Sequence, residues 1–198
     1  MCSSRSEDQS LRLFVAVDLP GQVREALGRL QGELRRHDLS RLRWVRPQGV
    51  HLTLEFLGET PAGRVAAITK ALAGATGGRR SFSLALGAPG AFGNRRGPRV
   101  LWLDVIGDVE PLRELQAAVE EALAGVGFPP EQRKFSPHLT LARVPQPAPP
   151  GTAERIAQAL QAVTPPQVEF DVREVVLMRS ILQPGGAVYE RLAAFPLA

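Results

Sequence analysis

Two of the three histidines in this chain open the same tetrapeptide, His51-Leu52-Thr53-Leu54 and His138-Leu139-Thr140-Leu141, one copy in each half. Each copy sits in an apolar, β-branched run that reads as a strand. Successive side chains of a strand point to opposite faces, so His51 shares a face with Thr53, and His138 with Thr140. The four leucines take the other face and can anchor a core. If two such strands face each other, two imidazoles and two hydroxyls meet in one cleft. That set suits a phosphodiester: a base on one side of phosphorus, an acid on the other, and neutral donors for the non-bridging oxygens. Histidine serves both proton-transfer roles, because its ordinary pKa of about 6.5 leaves either form available near neutrality.

The elements needed to hold these residues follow in order. A strand over residues 11–19 ends at Pro20-Gly21. An amphipathic helix follows, with Val23, Leu27, Leu30 and Leu34 on one face. Its last turn is basic and holds His37, which reads as a solvated helix-end residue. A short extended piece at 43–45 precedes the first motif strand, residues 50–57. A second helix starts at Pro61 and carries Val65, Ile68 and Leu72. Strands near 82–86 and 100–105 flank a basic turn with Arg95, Arg96 and Arg99. A third helix spans about 110–124, the second motif strand 136–144, and a fourth helix about 152–163. Strands near 168–179 and 188–192 finish the chain. The order suggests an approximate internal duplication in an α+β protein, with helices outside mainly antiparallel sheets.

With 198 residues and 44% apolar content, the chain is long enough for one sizeable domain or two joined lobes. No apolar run reaches the roughly 20 residues that span a bilayer, so no membrane partner is expected. Residues 1–10 are polar and read as a disordered tail rather than a signal peptide, leaving 11–198 as the domain. A single cysteine, Cys2, excludes an internal disulfide and a thiolate metal cluster and fits a reducing cytoplasm. The net charge of +4 suits a polyanionic partner such as RNA, or simply solubility.

The chain resembles the 2H phosphoesterase superfamily, marked by two His-x-Thr-x motifs, and within it the RNA 2′,3′-cyclic phosphodiesterase (2′-5′ RNA ligase) family. Arg12-Leu13-Phe14 with Asp18-Leu19-Pro20 looks like the family's opening strand. Arg43-Trp44-Val45, followed by His51-Leu52-Thr53-Leu54-Glu55-Phe56-Leu57-Gly58, resembles the first motif region. Phe135-Ser136-Pro137-His138-Leu139-Thr140-Leu141-Ala142-Arg143 resembles the second. Leu177-Met178-Arg179-Ser180 and Phe195-Pro196-Leu197 resemble the C-terminal signature. The resemblance implies a bilobal fold: two pseudo-symmetric antiparallel sheets, helices outside and a central cleft. It implies no metal and no cofactor. It implies hydrolysis of RNA 2′,3′-cyclic phosphate ends to 2′-phosphomonoesters, with a reversible 2′-5′ ligase side activity, by a chain expected to be a monomer. By the same analogy His51 is the proton donor to O3′ and His138 the acceptor that activates water. Thr53 and Thr140 bind the phosphoryl oxygens.

Around this set, strict alternation puts Arg143, five residues past His138, on the opposite face; it remains a candidate RNA contact where the strand twists or ends. Arg133 and Lys134 are candidate phosphate contacts, and Arg95, Arg96 and Arg99 a candidate RNA rim. Phe14 and Trp102 are candidate stacking aromatics, with core packing the plainer role. Glu55 shares the parity of His51, for a solvated or cleft-lining role. Three other functions compete. A metal hydrolase lacks a cluster of carboxylates or thiolates beside the histidines. A 2H domain that binds RNA or a nucleotide without turnover needs no intact pair of motifs. A phosphodiesterase for small cyclic nucleotides would keep the chemistry and change the substrate.

Overall fold

The computed structural model describes residues 9–94, 97–184 and 186–198. Among the described residues nine strands and four α-helices follow one another as β1 Ser10–Val17, α1 Gly21–Arg35, β2 Arg43–Trp44, β3 Leu52–Pro61, α2 Val65–Thr76, β4 Phe82–Asn94, β5 Gly97–Gly107, α3 Val109–Ala124, β6 His138–Arg143, α4 Thr152–Ala162, β7 Glu169–Val172, β8 Glu174–Gln183 and β9 Gly186–Pro196. The polar tail expected over 1–10 lies outside the described residues up to residue 8, and Ser10 already belongs to β1. The terminal strand expected over 168–179 is divided at Arg173 into β7 and β8. In the strand order β7 is the outermost strand at one end and β8 lies one strand in from the other.

That order is β7-β4-β5-β6-β3-β1-β8-β9, with β2 paired to β6. The ladders are antiparallel throughout. The path divides into two four-strand halves, β7-β4-β5-β6 and β3-β1-β8-β9, each with a motif strand at its inner edge. The two sheets read from the sequence are thus the halves of one curled sheet. They join where Leu52 of β3 is registered opposite Leu139 of β6.

The helices bury the apolar faces their spacing marks out: Val23, Leu27, Leu30 and Leu34 in α1, and Leu112, Leu115, Val119 and Leu123 in α3. Both faces join one core with Leu52, Leu54, Leu139 and Leu141. The motif leucines therefore do anchor the core. On the other face of the sheet a smaller cluster, Phe14, Ala16, Val176 and Met178, packs with Tyr189 and forms an apolar floor. Strand β1 is buried on both faces for this reason. Among the described residues no helix is long and apolar enough to cross a membrane.

The junction leucines are fully buried. Replacing Leu139 with Ala is expected to lower unfolding free energy by about 2–5 kcal/mol in urea denaturation. A loss below about 1 kcal/mol would contradict a packed junction.

Candidate active site

Because Leu52 and Leu139 are cross-strand partners facing the core, the residues flanking each of them turn to the other face. His51, Thr53, His138 and Thr140 are thereby gathered on one side of the sheet. Antiparallel register crosses the motifs: His51 falls opposite Thr140, and Thr53 opposite His138. Thr53 and His138 indeed line a common cleft. All four side chains are half-buried, as a site open to a substrate requires.

The two imidazoles are fixed alike. His51 Nδ1 lies 3.0 Å from the Gly49 carbonyl oxygen, and His138 Nδ1 lies 2.8 Å from that of Ser136. A carbonyl only accepts, so each Nδ1 carries a proton and donates it. Each Nε2 is left for the cleft, bare in the neutral ring and a donor in the imidazolium. The surroundings then differ. His51 stacks on Phe14 at 4.5 Å and meets the edge of Tyr189 at 4.9 Å. Burial holds its pKa below the usual histidine value, while the Gly49 hydrogen bond and Asp18 pull it back up. His138 has the edge of Phe92 at 5.0 Å, and Phe92 stacks on Trp102 at 4.8 Å. Trp102 can lie so close to β4 because residue 90 is glycine: a Cβ there would come within 2.4 Å of the indole.

A feature absent from the sequence reading is a bulge at the last residue of each motif. In the β1–β3 ladder Ala16 faces Thr53 and Val15 faces Glu55, so Leu54 is extra. In the β5–β6 ladder Trp102 faces Thr140 and Leu101 faces Ala142, so Leu141 is extra. Each bulge reverses the alternation beyond it. Arg143 is therefore returned to the histidine face, contrary to strict alternation. Its charge is felt there by Tyr189, whose pKa burial raises and Arg143 and Arg12 lower. Phe56 is likewise brought to the cleft face and stands 69% exposed. Glu55 goes the other way. It does not share the face of His51 but is buried toward α3, where Gln116 donates a hydrogen bond to it. Still, Glu55 is among the residues that line the cleft, as expected.

A buried glutamine attends each bulge. Gln31 of α1 donates through Nε2 to the carbonyls of Val45 (2.8 Å) and Leu141 (3.2 Å). Gln116 of α3 hydrogen-bonds the carboxyl of Glu55, the residue after the other bulge. Neither glutamine, nor Phe56, Phe92 or Tyr189, was singled out from sequence. The one available signal was a polar residue on the apolar face of each helix. Of the remaining candidates, Phe14 is buried against His51, and Trp102 is half-buried behind Phe92. Arg133 and Lys134 border the His138 cleft. Arg99 is exposed on β5, and Arg95 and Arg96 lie outside the described residues. His37 sits in the turn after α1. Among the described residues no group of three or more His, Cys, Asp or Glu is gathered that could hold a metal.

A curled antiparallel sheet with helices on one face and two histidine–threonine strands on the other is the 2H phosphoesterase architecture. A family model described as the 2′-5′ RNA ligase superfamily matches residues 19–183, and the chain belongs to that superfamily. It is 36% identical over 184 residues to an RNA 2′,3′-cyclic phosphodiesterase of Geobacillus stearothermophilus, covering 93% of this chain but only 56% of that relative's length. A protein of the same name from Methanothermobacter thermautotrophicus is 33% identical over 188 residues, covering 94% of this chain and 99% of the relative. E. coli LigT in complex with 3′-AMP superposes with a TM-score of 0.77 at 27% identity, over 96% of this chain and 99% of that one. A crystal structure from Thermus thermophilus gives a TM-score of 0.72 at 34% identity, over 94% and 98%.

Burial, with Glu120 and Glu131 nearby, pushes the Glu55 carboxyl from 4.5 up to about 7. The native state thus binds a proton more tightly than the unfolded chain, and stability falls as pH rises between those values. Glu55→Gln removes the charge. It is expected to be more stable than the parent at pH 8, by on the order of 1–3 kcal/mol, with the advantage shrinking toward pH 4.5. An equal difference at both pH values in denaturant titrations would contradict the buried carboxyl.

Proposed function

We propose that this chain hydrolyses RNA 2′,3′-cyclic phosphate ends to 2′-phosphomonoesters by acid–base catalysis between His51 and His138. The observation that carries the reading is the junction at Leu52 and Leu139, which turns one histidine and one threonine from each half onto the same face. The names of the curated relatives and the likeness to a nucleotide-bound LigT support the substrate class.

Leaving a 2′-phosphate requires breaking the bond from phosphorus to O3′. The nucleophile enters in line, opposite O3′, so its base and the leaving oxygen's acid must stand on opposite sides of phosphorus. His51 protonates O3′ through Nε2, and His138 Nε2 takes the proton of water. Thr53 and Thr140 donate to the non-bridging oxygens, where charge builds in the transition state. Arg143, on the same face, binds the phosphate or the adjoining RNA as a fixed cation. With an RNA 5′-hydroxyl in place of water, the same two histidines make a 2′-5′ linkage, and the reverse reaction cleaves it.

Either His→Ala variant is expected to lose about 10²–10⁴ in turnover. A substrate with sulfur in place of O3′ has a far better leaving group and needs little protonation. It should rescue His51→Ala and not His138→Ala; the opposite rescue would exchange the roles, and full activity of both variants would end the mechanism. The rate should be bell-shaped in pH, with limbs that belong to the coupled pair. Burial depresses the His51 pKa in the free protein, whereas a bound phosphodiester anion favours its imidazolium. The profile of kcat/KM, which reports the free protein, should therefore have at least one limb at lower pH than the profile of kcat.

A further inference from the structure

Beyond Leu52 and Leu139 the motif strands part, and the two ends of the junction differ. At the His51–Thr140 end, β2 fills the space by pairing with β6, Arg43 opposite Arg143 and Trp44 opposite Ala142. At the His138–Thr53 end, β3 faces the segment leading into β6, and a cleft of about 500 Å³ opens between them. Its walls include Phe56 and Phe92, 69% and 38% exposed, and its lining includes Glu55 and Gln116. Arg133 and Lys134 are exposed at its border.

We propose that this cleft is the subsite for the 5′-hydroxyl end of a second RNA strand, seating its terminal nucleoside so that the 5′-oxygen replaces water as nucleophile. The inference rests on the reading of His138 as the base. In-line displacement places the cyclic nucleoside, through its O3′, on the His51 side of phosphorus. The cleft adjoins His138, on the nucleophile's side. Water needs no cavity of nucleoside size with aromatic walls, and pockets for such ligands occupy about 300–1,000 Å³. Exposed phenylalanines stack any base, which suits an end defined by its hydroxyl rather than its sequence. The Gln116 amide offers a donor and an acceptor to a base edge. Glu55, protonated to a large extent near neutrality, offers both as well. Arg133 and Lys134 meet the phosphate that follows the terminal nucleoside. The step balances without a cofactor. The 5′-hydroxyl proton passes to His138, the bond from the 5′-oxygen to phosphorus forms, the bond from phosphorus to O3′ breaks, and O3′ takes the His51 proton. The product is a 2′-5′ phosphodiester with a free 3′-hydroxyl.

The test follows both products in one tube. A donor RNA ending in a 2′,3′-cyclic phosphate is held constant, a 5′-hydroxyl oligonucleotide is titrated, and hydrolysed and joined products are separated by electrophoresis. With the full chain, the ratio of joining to hydrolysis should rise and saturate. Phe56→Ala should lower the ratio at subsaturating acceptor by about tenfold, the loss of roughly one base-stacking contact, while Phe56→Trp restores it. Because the ratio is internal, a change in the folded fraction does not move it. A ratio unchanged in Phe56→Ala, or one that climbs linearly without saturation, overturns the subsite while leaving hydrolysis as proposed. An equal rise in KM for a cyclic mononucleotide in Phe56→Ala also overturns it, by placing the donor in this cleft. Failure of the parent chain to release any 2′-phosphate overturns the hydrolytic reading itself, and the subsite with it.

Discussion

One cross-strand contact governs this molecule: Leu52 opposite Leu139, both fully buried, where the two halves of the sheet meet. The leucines are held by the hydrophobic core, and the histidines and threonines are positioned as a consequence. A slip of one residue in either strand would bury a histidine and expose a leucine, so burial fixes the register and the register fixes the site. The bulges at Leu54 and Leu141 extend that control beyond the tetrapeptides. They bring Phe56 and Arg143 to equivalent positions past the two threonines, one an aromatic face and the other a cation. The Leu141 bulge is pinned in turn, because Gln31 Nε2 and the Val45 amide both donate to its carbonyl.

The approximate two-fold relation between the halves holds for the two imidazoles themselves and fails in their surroundings, where the proposed roles diverge. Both imidazoles donate Nδ1 to the carbonyl two residues back, which leaves both Nε2 atoms for the cleft and for the proton transfer proposed above. But His51 is enclosed by Phe14 and Tyr189 over a buried apolar floor, with β2 closing its end of the junction. His138 has the edge of Phe92 beside it and opens on the cleft that Phe92 also walls. Desolvation lowers the His51 pKa and makes its imidazolium a stronger acid, while a bound anion would favour its protonated form. The open side suits the arrival of a nucleophile.

Repetition is what made the candidate site legible in the sequence. A lone His-x-Thr in a strand carries little information, but the same residues at the same offset in two halves define two faces and one chemistry. The leucine and histidine faces, the helix faces and the α+β order were all legible, because period-2 and period-3.6 patterns are local. What was not legible depends on partners distant in the chain. Strict alternation misplaced Arg143 and Glu55, since a bulge is visible only in the register with the neighbouring strand. The joining of the two halves into one sheet rests on a pairing across 87 positions, from Leu52 to Leu139. Gln31 and Gln116 looked like polar interruptions of apolar helix faces until the carbonyl and carboxyl they serve were in view. Phe56 and Phe92 are ordinary strand residues by composition, and only their exposure beside His138 marks them.

The central claim is that acid and base from the two halves stand on opposite sides of one phosphorus, with O3′ as the leaving oxygen. The most direct measurement is the position of the phosphate, and of the label, on an RNA 2′,3′-cyclic phosphate end hydrolysed in ¹⁸O-water. The account predicts a 2′-phosphomonoester carrying ¹⁸O on phosphorus and none in the freed 3′-hydroxyl. A 3′-phosphomonoester would place the acid at O2′ and contradict it.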